Sequence, residues 1–241
     1  MNIGIIAASR LREGARNPMF DNAVAYYRLD ETTGDAIDLV NAYNGTLNGA
    51  ISRNGEYYTF NGQNQFVAIG DEDDFSFTDG AGNNTDFVIK TEVIFDGFNI
   101  NNRSWFVSKR ESLASGVQEW QFIYIQNNLG FYIWDTSNNE FNISTEFTPT
   151  IGQKYIIGVT LNGTTLSLFI DGIIEKTETL PAGFNFYNGS SVVKLANETF
   201  GAANLNLLGK LKETVIVKGN GWTQQNITDN YNGGAGITYN L

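Results

Sequence analysis

The stretch IGQKYIIGVTLNGTTLSLFIDGIIEKT, residues 151–177, carries the clearest structural signal in the chain. Apolar residues alternate with others on both sides of Asn162-Gly163, and a second turn dipeptide follows at Asp171-Gly172. Both dipeptides accept positive φ at low steric cost, so alternation interrupted by them is typical of tight β-hairpins. The segment therefore predicts three consecutive antiparallel strands.

The composition of the 241 residues favours a folded all-β domain. Hydrophobic residues make up 41% and aromatic residues 13%, which is typical of a globular protein, and 26 glycines supply turns. Short alternating segments recur along the chain, and strong helical patterns are nearly absent before its end. β-Sandwiches commonly reach about 200–250 residues as one unit, so the length fits a single domain.

Charge and missing residue types exclude several functions. A net charge of −11 argues against binding to nucleic-acid backbones, which requires clustered Lys and Arg. The chain has no Cys and no His, which excludes disulfides, thiol chemistry and a His-based triad. No apolar run is long enough to span a bilayer, and the short apolar patch Ile3–Ala8 precedes its arginines, so we expect neither a membrane anchor nor a secretion signal.

Several further segments carry a family resemblance. They are AYYRLDETTG (25–34), NGTL (44–47), FNGQNQFVAI (60–69), WFVSK (105–109) and GKLKETVIV (209–217), the last followed by a short helical segment ending at Tyr231-Asn232. In this order and at this spacing they resemble the laminin-G-like domains, over roughly residues 22–234. The resemblance implies an all-β, concanavalin A-like (laminin-G-like) jelly-roll sandwich over residues 22–241, with one short C-terminal helix that Thr223 can cap.

Other strands follow from alternation alone. The pattern predicts strands at residues 23–29, 87–95, 184–187 and 192–196. It also predicts a hairpin of residues 120–126 and 129–135 that turns at Asn127-Asn128. Both faces of this hairpin are apolar. One face must meet the core, and the other is covered by loops, met by a partner subunit or used for a ligand.

Residues 1–21 differ from the rest and are interpreted as a short N-terminal arm. The arm has a small apolar cluster, Ile3, Ile5 and Ile6, followed by the basic residues Arg10 and Arg12. Its GIIAASR segment resembles the starts of bacteriophage head and tail proteins. The resemblance implies an arm that anchors the domain to other virion proteins or to a second copy of itself. A flexible tail without a partner is the alternative.

Aromatic residues on neighbouring predicted strands are the candidate ligand-binding residues. Tyr and Trp rings suit a wet binding surface and can stack on sugar rings. Filling of the sandwich core is the alternative for each of them. The candidates for glycan binding are Trp105, Trp120, Tyr132 and Trp134, with Tyr124 beside them.

The acidic loop of residues 71–74 is the candidate metal site. Asp71, Asp73 and Asp74 offer the oxygen ligands that Ca²⁺ prefers, and a solvated acidic loop is the alternative. Laminin-G-like domains often hold one structural calcium with an acid before the closing strand. Here Lys212 replaces that acid, which speaks against an inherited site.

Catalysis is not expected. Glycoside hydrolases that share this jelly roll need a pair of carboxylates along a strand. The nearest match, at Glu72-Asp73-Asp74, has Phe77 where the second Glu would stand and is loop-like. The sequence therefore predicts a binding protein and not an enzyme.

These observations predict a bacteriophage virion structural or decoration protein, associated with the capsid or tail. It would assemble in the host cytoplasm, be displayed outside the particle and contact environmental or host-surface glycans through a lectin-like domain. The absence of disulfides agrees with assembly in a reducing compartment. The alternatives are a cellular carbohydrate-binding or adhesion module and, less favoured, a glycoside hydrolase. Homo-oligomer formation is left open.

Overall fold

The computed structural model describes residues 18–99, 102–110, 118–197 and 206–236. Within these ranges it contains fifteen strands in two antiparallel sheets, one α-helix and three short 3-10 turns. This arrangement is an all-β jelly-roll sandwich and confirms the predicted fold class. The anchoring residues predicted in the arm, Ile3 to Arg12, lie outside the described residues.

The first sheet has eight strands. Their order is β13-β12-β11-β6-β15-β4-β3, and β1 pairs with the second half of β15. The bounds are β1 (Ala23–Tyr27), β3 (Ser52–Arg53), β4 (Tyr58–Asn61), β6 (Phe87–Phe95), β11 (Lys154–Asn162), β12 (Thr165–Ile170), β13 (Ile173–Thr179) and β15 (Leu208–Lys218).

The second sheet has seven strands in the order β10-β9-β8-β7-β14-β5-β2. The bounds are β2 (Thr46–Asn48), β5 (Phe66–Gly70), β7 (Arg103–Arg110), β8 (Gln118–Ile125), β9 (Asn128–Trp134), β10 (Glu140–Glu146) and β14 (Val193–Leu195).

The central segment folds as its sequence predicts. β11, β12 and β13 are consecutive antiparallel neighbours. Gly163 begins the first turn with φ 62°, and Asp171 and Gly172 form the second with φ 47° and 87°. Two-residue hairpin turns have either glycine at the first turn residue or positive φ at both turn residues. The first turn has the former arrangement and the second turn has the latter. Tyr155, Ile157 and Val159 of β11 then point into the core.

Aromatic side chains fill the space between the two sheets. Phe77 stacks on Phe87 with ring centroids 4.0 Å apart, and Phe95 contacts Tyr124 at 5.3 Å. Fully burying one such side chain stabilises the fold by roughly 1.5–3 kcal/mol. Because the interior carries many large rings, the sandwich does not need the disulfides that its sequence lacks.

A second, smaller core lies on the outer face of the first sheet. Trp222 stacks on Phe169 and contacts Phe20, and its indole N–H donates to the carbonyl of Met19 at 3.0 Å. Met19 and Phe20 are 7% and 0% exposed. The packed part of the chain therefore begins before residue 22, inside the segment predicted to be arm.

The helix α1 (Gln224–Tyr231) closes this second core. Thr223 caps it, since its hydroxyl accepts from the backbone N–H of Asn226 while the Asn226 side chain accepts from the N–H of Thr223. Ile227 is buried beside Trp222. The predicted capping role of Thr223 is confirmed.

Two local predictions are wrong. Residues 184–187 do not form a strand; only Phe186 makes an isolated bridge, to Asp135. The side chain of Asn84 hydrogen bonds to this backbone: it donates to the carbonyl of Phe184 and accepts from the N–H of Phe186. The β8–β9 turn lies at Gln126-Asn127 and not at Asn127-Asn128.

Candidate functional site

The four predicted aromatic ligands divide between the two faces of the second sheet. Trp120 faces the core, stacks on Phe77 at 5.3 Å and donates its indole N–H to the carbonyl of Phe75 at 2.9 Å. For Trp120 the core alternative therefore holds, because a ring enclosed in this way has no face left for a sugar. Trp105, Tyr132 and Trp134 lie on the outer face.

The outer-face aromatics belong to a buried polar network. Gln121 accepts from the indole of Trp105 at 3.0 Å and from the guanidinium of Arg110 at 2.8 Å. The same guanidinium lies 5.2 Å from the Trp134 ring. Trp105 and Trp134 are 2% and 5% exposed, so neither offers an open stacking surface. Of these three, only Tyr132 is half-buried. Its burial, and to a lesser extent the negative charge of Glu140, raise the pKa of its hydroxyl.

The acidic loop is tied to neighbours that sequence analysis did not anticipate. Asp71 pairs with Lys109 at 2.9 Å, and Asp74 accepts from the hydroxyl of Tyr43 at 2.8 Å. Asp73 is exposed. Within the described ranges, no three acidic side chains are placed to hold a metal ion. Calcium binding by this loop stays a prediction, and two of the three predicted ligands, Asp71 and Asp74, already have partners.

Lys109 also joins a buried ion cluster. Its ammonium group contacts Glu119, which in turn accepts from the hydroxyl of Ser76 at 2.6 Å. Lys109 and Glu119 are 0% and 1% exposed. Burial raises the pKa of Glu119 to about 7, although Lys109 and Ser76 favour its charged form. No substrate can reach this cluster, so we regard it as structural.

The described residues include an open cleft with the chemistry of a ligand site. It encloses about 460 Å³, within the usual range for small-molecule sites. It lies where the β9–β10 turn meets the loop after β13. Its lining combines aromatic rings with carboxylate, amide and hydroxyl groups: Asp135, Ser137, Asn139, Glu140, Phe141, Pro181, Ala182, Gly183 and Phe184.

One wall of the cleft is held rigid by Asp135. Its carboxylate accepts from the backbone N–H groups of Ser137 and Asn139, at 2.9 and 2.7 Å, and from the Asn139 amide at 2.9 Å. Partial burial alone would raise its pKa, but these hydrogen bonds together outweigh it and hold the pKa below the usual range. Asp135 is therefore a fixed negative charge.

The other wall is aromatic. The rings of Phe141 and Phe184 lie 5.8 Å apart in a tilted arrangement. Phe141 is half-buried at the beginning of β10, and Phe184 is 8% exposed. Glu140, directly before Phe141, is exposed at the rim and hydrogen bonds with Asn142 at 3.2 Å. The cleft thus offers part of the Phe141 ring beside the polar groups of the β9–β10 turn.

Sequence analysis missed this cleft. A signal was present in the spacing Asp135-x-x-x-Asn139, which recurs at Asp79-x-x-x-Asn83 with the same set of hydrogen bonds. That spacing marks a rigid turn but not a site. The site arises only because the loop at residues 181–184 meets the turn in space.

Solved structures share this fold. The binding domain of Paraclostridial Mosquitocidal Protein 1 has a TM-score of 0.70 at 15% identity, over 89% of this chain and 53% of that one. The botulinum neurotoxin serotype G binding domain gives 0.65 at 16%, over 87% and 50%. The serotype D ligand binding domain in complex with N-acetylneuraminic acid gives 0.64 at 10%, over 90% and 53%.

At these identities the likeness concerns the fold alone, and the chain spans about half the length of each of these structures. No protein-family model and no curated protein matches the sequence. The finer resemblance to laminin-G-like domains and to bacteriophage proteins stays a prediction. In the described part of the chain, no helix has the length and hydropathy to cross a bilayer.

Proposed function

We propose that this domain is a non-catalytic module that binds glycans in the cleft between the β9–β10 turn and residues 181–184. The observation that carries the proposal is an open cleft in which the half-buried ring of Phe141, packed on Phe184, lies beside the polar β9–β10 turn with Asp135 and Asn139. Rings pack against the apolar face of a pyranose, and carboxylate oxygens accept from its hydroxyls. The structures with a similar fold are described as binding domains, and one of them is a complex with N-acetylneuraminic acid. They support the class of function but say nothing about the place of the site.

Binding without hydrolysis follows from the state of Asp135. Glycoside hydrolysis needs a general acid whose pKa is raised, beside a second carboxylate. Two acidic residues, Asp135 and Glu140, line the cleft, but the hydrogen bonds on Asp135 lower its pKa and engage both of its carboxylate oxygens. We expect no reducing ends to appear when the protein is incubated with a broad panel of polysaccharides.

A glycan array followed by calorimetry tests the proposal. Ala182 is exposed and lines the cleft, so Ala182→Trp should fill the cleft without disturbing the core and should abolish binding. Ala50, an exposed alanine outside the lining, supplies the control Ala50→Trp, which should bind as the wild type does. Failure of the wild type to bind any glycan, or undiminished binding by Ala182→Trp, would overturn the proposal.

We further propose that the module is displayed on a bacteriophage virion and held there by the N-terminal arm. One support is the resemblance of residues 4–10 to phage head and tail proteins. The other is the positive charge of Arg10 and Arg12, which is opposite in sign to the charge of the acidic domain. A chain that starts at Pro18 keeps the packed residues Met19 and Phe20. It should fold but fail to enter particles. Normal incorporation of the shortened chain would refute the anchor, and absence of the full chain from particles would leave a cellular binding module as the better candidate.

A further inference from the structure

We propose that Asn54 is a site of spontaneous deamidation, at which the chain converts its own side-chain amide to Asp and isoAsp. Asn54 and Gly55 lie in the exposed turn between β3 and β4. Gly55 has φ 83° and carries no side chain that could shield its backbone nitrogen. The turn therefore places an accessible nucleophile directly after an accessible amide.

The reaction needs only the chain and water. The backbone nitrogen of Gly55 loses its proton to solvent and attacks Cγ of Asn54, so that an N–C bond forms and Oδ1 takes the negative charge. The carbonyl then re-forms and the Cγ–Nδ2 bond breaks, as Nδ2 takes a proton from solvent and leaves as ammonia. Water opens the resulting succinimide at either carbonyl, which gives Asp or isoAsp.

Two backbone donors stand where the negative charge develops. Oδ1 of Asn54 accepts from the N–H of Glu56 at 3.0 Å and from the N–H of Tyr57 at 2.9 Å. A pair of backbone N–H groups on one oxygen is the arrangement of an oxyanion hole, which stabilises a tetrahedral intermediate. The same bonds turn the side chain toward the backbone that follows it, on the side of the Gly55 peptide.

The N–H of Gly55 is available for the reaction. It lies outside the strands and makes no hydrogen bond to any residue that the structure describes. The Asn-Gly dipeptide occurs eight times in the chain, so the sequence alone does not single out this one. At Asn162, for example, the N–H of Gly163 donates to the carboxylate of Asp86 at 2.8 Å.

Asn61 is a matched internal control. Its Oδ1 also accepts a backbone hydrogen bond, from the N–H of Gln63 at 3.0 Å. The N–H of Gly62, however, donates to the carbonyl of Leu207 at 2.9 Å. Asn61 thus resembles Asn54 in the state of its amide oxygen and differs from it in the state of the attacking nitrogen.

Deamidation at this turn would change the charge of the protein and spare the proposed glycan cleft. Each event replaces a neutral amide by a carboxylate, so the net charge moves by one unit, from −11 to −12. β3 and β13 form opposite edges of the first sheet, and the cleft lies beside the loop that follows β13. The modification therefore accumulates with the age of the protein and is independent of any ligand.

Peptide mapping by mass spectrometry on the full chain tests the proposal. The folded protein and the protein unfolded in denaturant are incubated in parallel at mildly alkaline pH, and an isoaspartyl methyltransferase labels the isoAsp product. In the unfolded chain all Asn-Gly dipeptides should react at similar rates. In the folded chain Asn54 should react fastest, whereas Asn61 and Asn162 should be slowed roughly tenfold, because each must first give up a hydrogen bond. An intact Asn54 in the folded chain, or equal rates at Asn54 and Asn61, would overturn the proposal.

Glu56→Pro tests the oxyanion hole separately. Glu56 is exposed, and proline removes one of the two donors without changing the Asn-Gly sequence. The variant should slow the reaction of Asn54 several-fold in the folded chain and leave its rate in the unfolded chain unchanged. A thermal melt checks that the variant is folded. An unchanged rate in the folded variant would overturn the role of these donors.

Discussion

At the residue scale, Glu119 gives the protein a pH dependence with a defined sign. Burial raises its pKa from 4.5 to about 7, so the folded chain binds this proton more tightly than the unfolded chain does. The free energy of unfolding should therefore fall as the pH rises from about 4.5 to about 7, by at most about 1.4 kcal/mol per pH unit. The chain has no His, so few other groups titrate in this window.

Glu119→Gln isolates this contribution. The amide keeps the shape of the side chain and can still accept from Ser76, while Lys109 keeps its pair with Asp71. Denaturant unfolding at several pH values should show a flatter profile for the variant than for the wild type. The exposed Glu146→Gln serves as control and should keep the wild-type slope. Parallel profiles for Glu119→Gln and the wild type would contradict the assignment.

The acidic loop allows a second test at this scale. A cation that binds only the folded state stabilises it by mass action, so loss of a bound Ca²⁺ would lower the melting temperature. Because Asp71 is paired with Lys109 and Asp74 with Tyr43, we expect EDTA to leave the melting temperature unchanged. A drop in EDTA that is reversed by added calcium and absent in Asp73→Asn would restore the metal site.

At the scale of elements, the Asp171-Gly172 turn fastens the helix to the first sheet. The carbonyl of Gly172 accepts from Gln224 at 2.7 Å and from Thr228 at 3.1 Å, and Gln224 accepts from the N–H of Ile174 at 2.9 Å. A Cβ on Gly172 would approach the Tyr231 side chain to 2.8 Å. The turn thus needs glycine both for its backbone angle and for the helix packed on it.

Substitution of two turn glycines should separate these needs. Gly163 and Gly172 both have positive φ, but a Cβ on Gly163 would meet no atom within 4 Å. Gly163→Ala should lower the free energy of unfolding by about 1–2 kcal/mol, the cost of placing a Cβ on a residue with positive φ. Gly172→Ala should lower it further, because the helix must also shift. Thermal melts measure the difference. Equal losses in the two variants would show that the contact with Tyr231 has no cost.

The same elements show what the sequence could predict. Alternation and turn dipeptides determine β6, β11 and β12, because local preference and burial agree there. β10 was not identified, since only Ile143 of its seven residues is buried and its pairing with β9 supplies what its pattern lacks. Residues 184–187 look like a strand, yet the side chain of Asn84, 100 residues before Phe184, bonds to the carbonyl of Phe184 and the N–H of Phe186.

The site was less predictable than the fold. The apolar pattern of β7 and β8 could not tell which of Trp105 and Trp120 meets the core, because both faces of these strands are buried. The cleft depends on the meeting of Glu140 and Phe141 with a loop about 40 residues later in the chain. Such a meeting is a property of tertiary packing and leaves no local pattern.

At the scale of the whole molecule, the boundary of the domain can be measured. A chain starting at Pro18 should unfold at nearly the temperature of the full chain. A chain starting at Asp21 loses Phe20, which is fully buried against Tyr26 and Trp222, and should lose about 3–5 kcal/mol. Denaturant titration of the two chains checks this. Equal stabilities of the two chains would show that residues 18–20 belong to the arm and not to the folded domain.

The pairing of β1 with β15 has a mechanical consequence. The strands are antiparallel, and Ala23 at the start of β1 lies opposite Val217 near the end of β15. A force that pulls these two residues apart acts perpendicular to the strands and loads the hydrogen bonds in sequence. The ladder would therefore break one hydrogen bond at a time, starting at Ala23. In force spectroscopy, pulling between residues 23 and 217 should therefore detach β1 at a low force, whereas a domain tethered by one end alone carries no tension through this ladder.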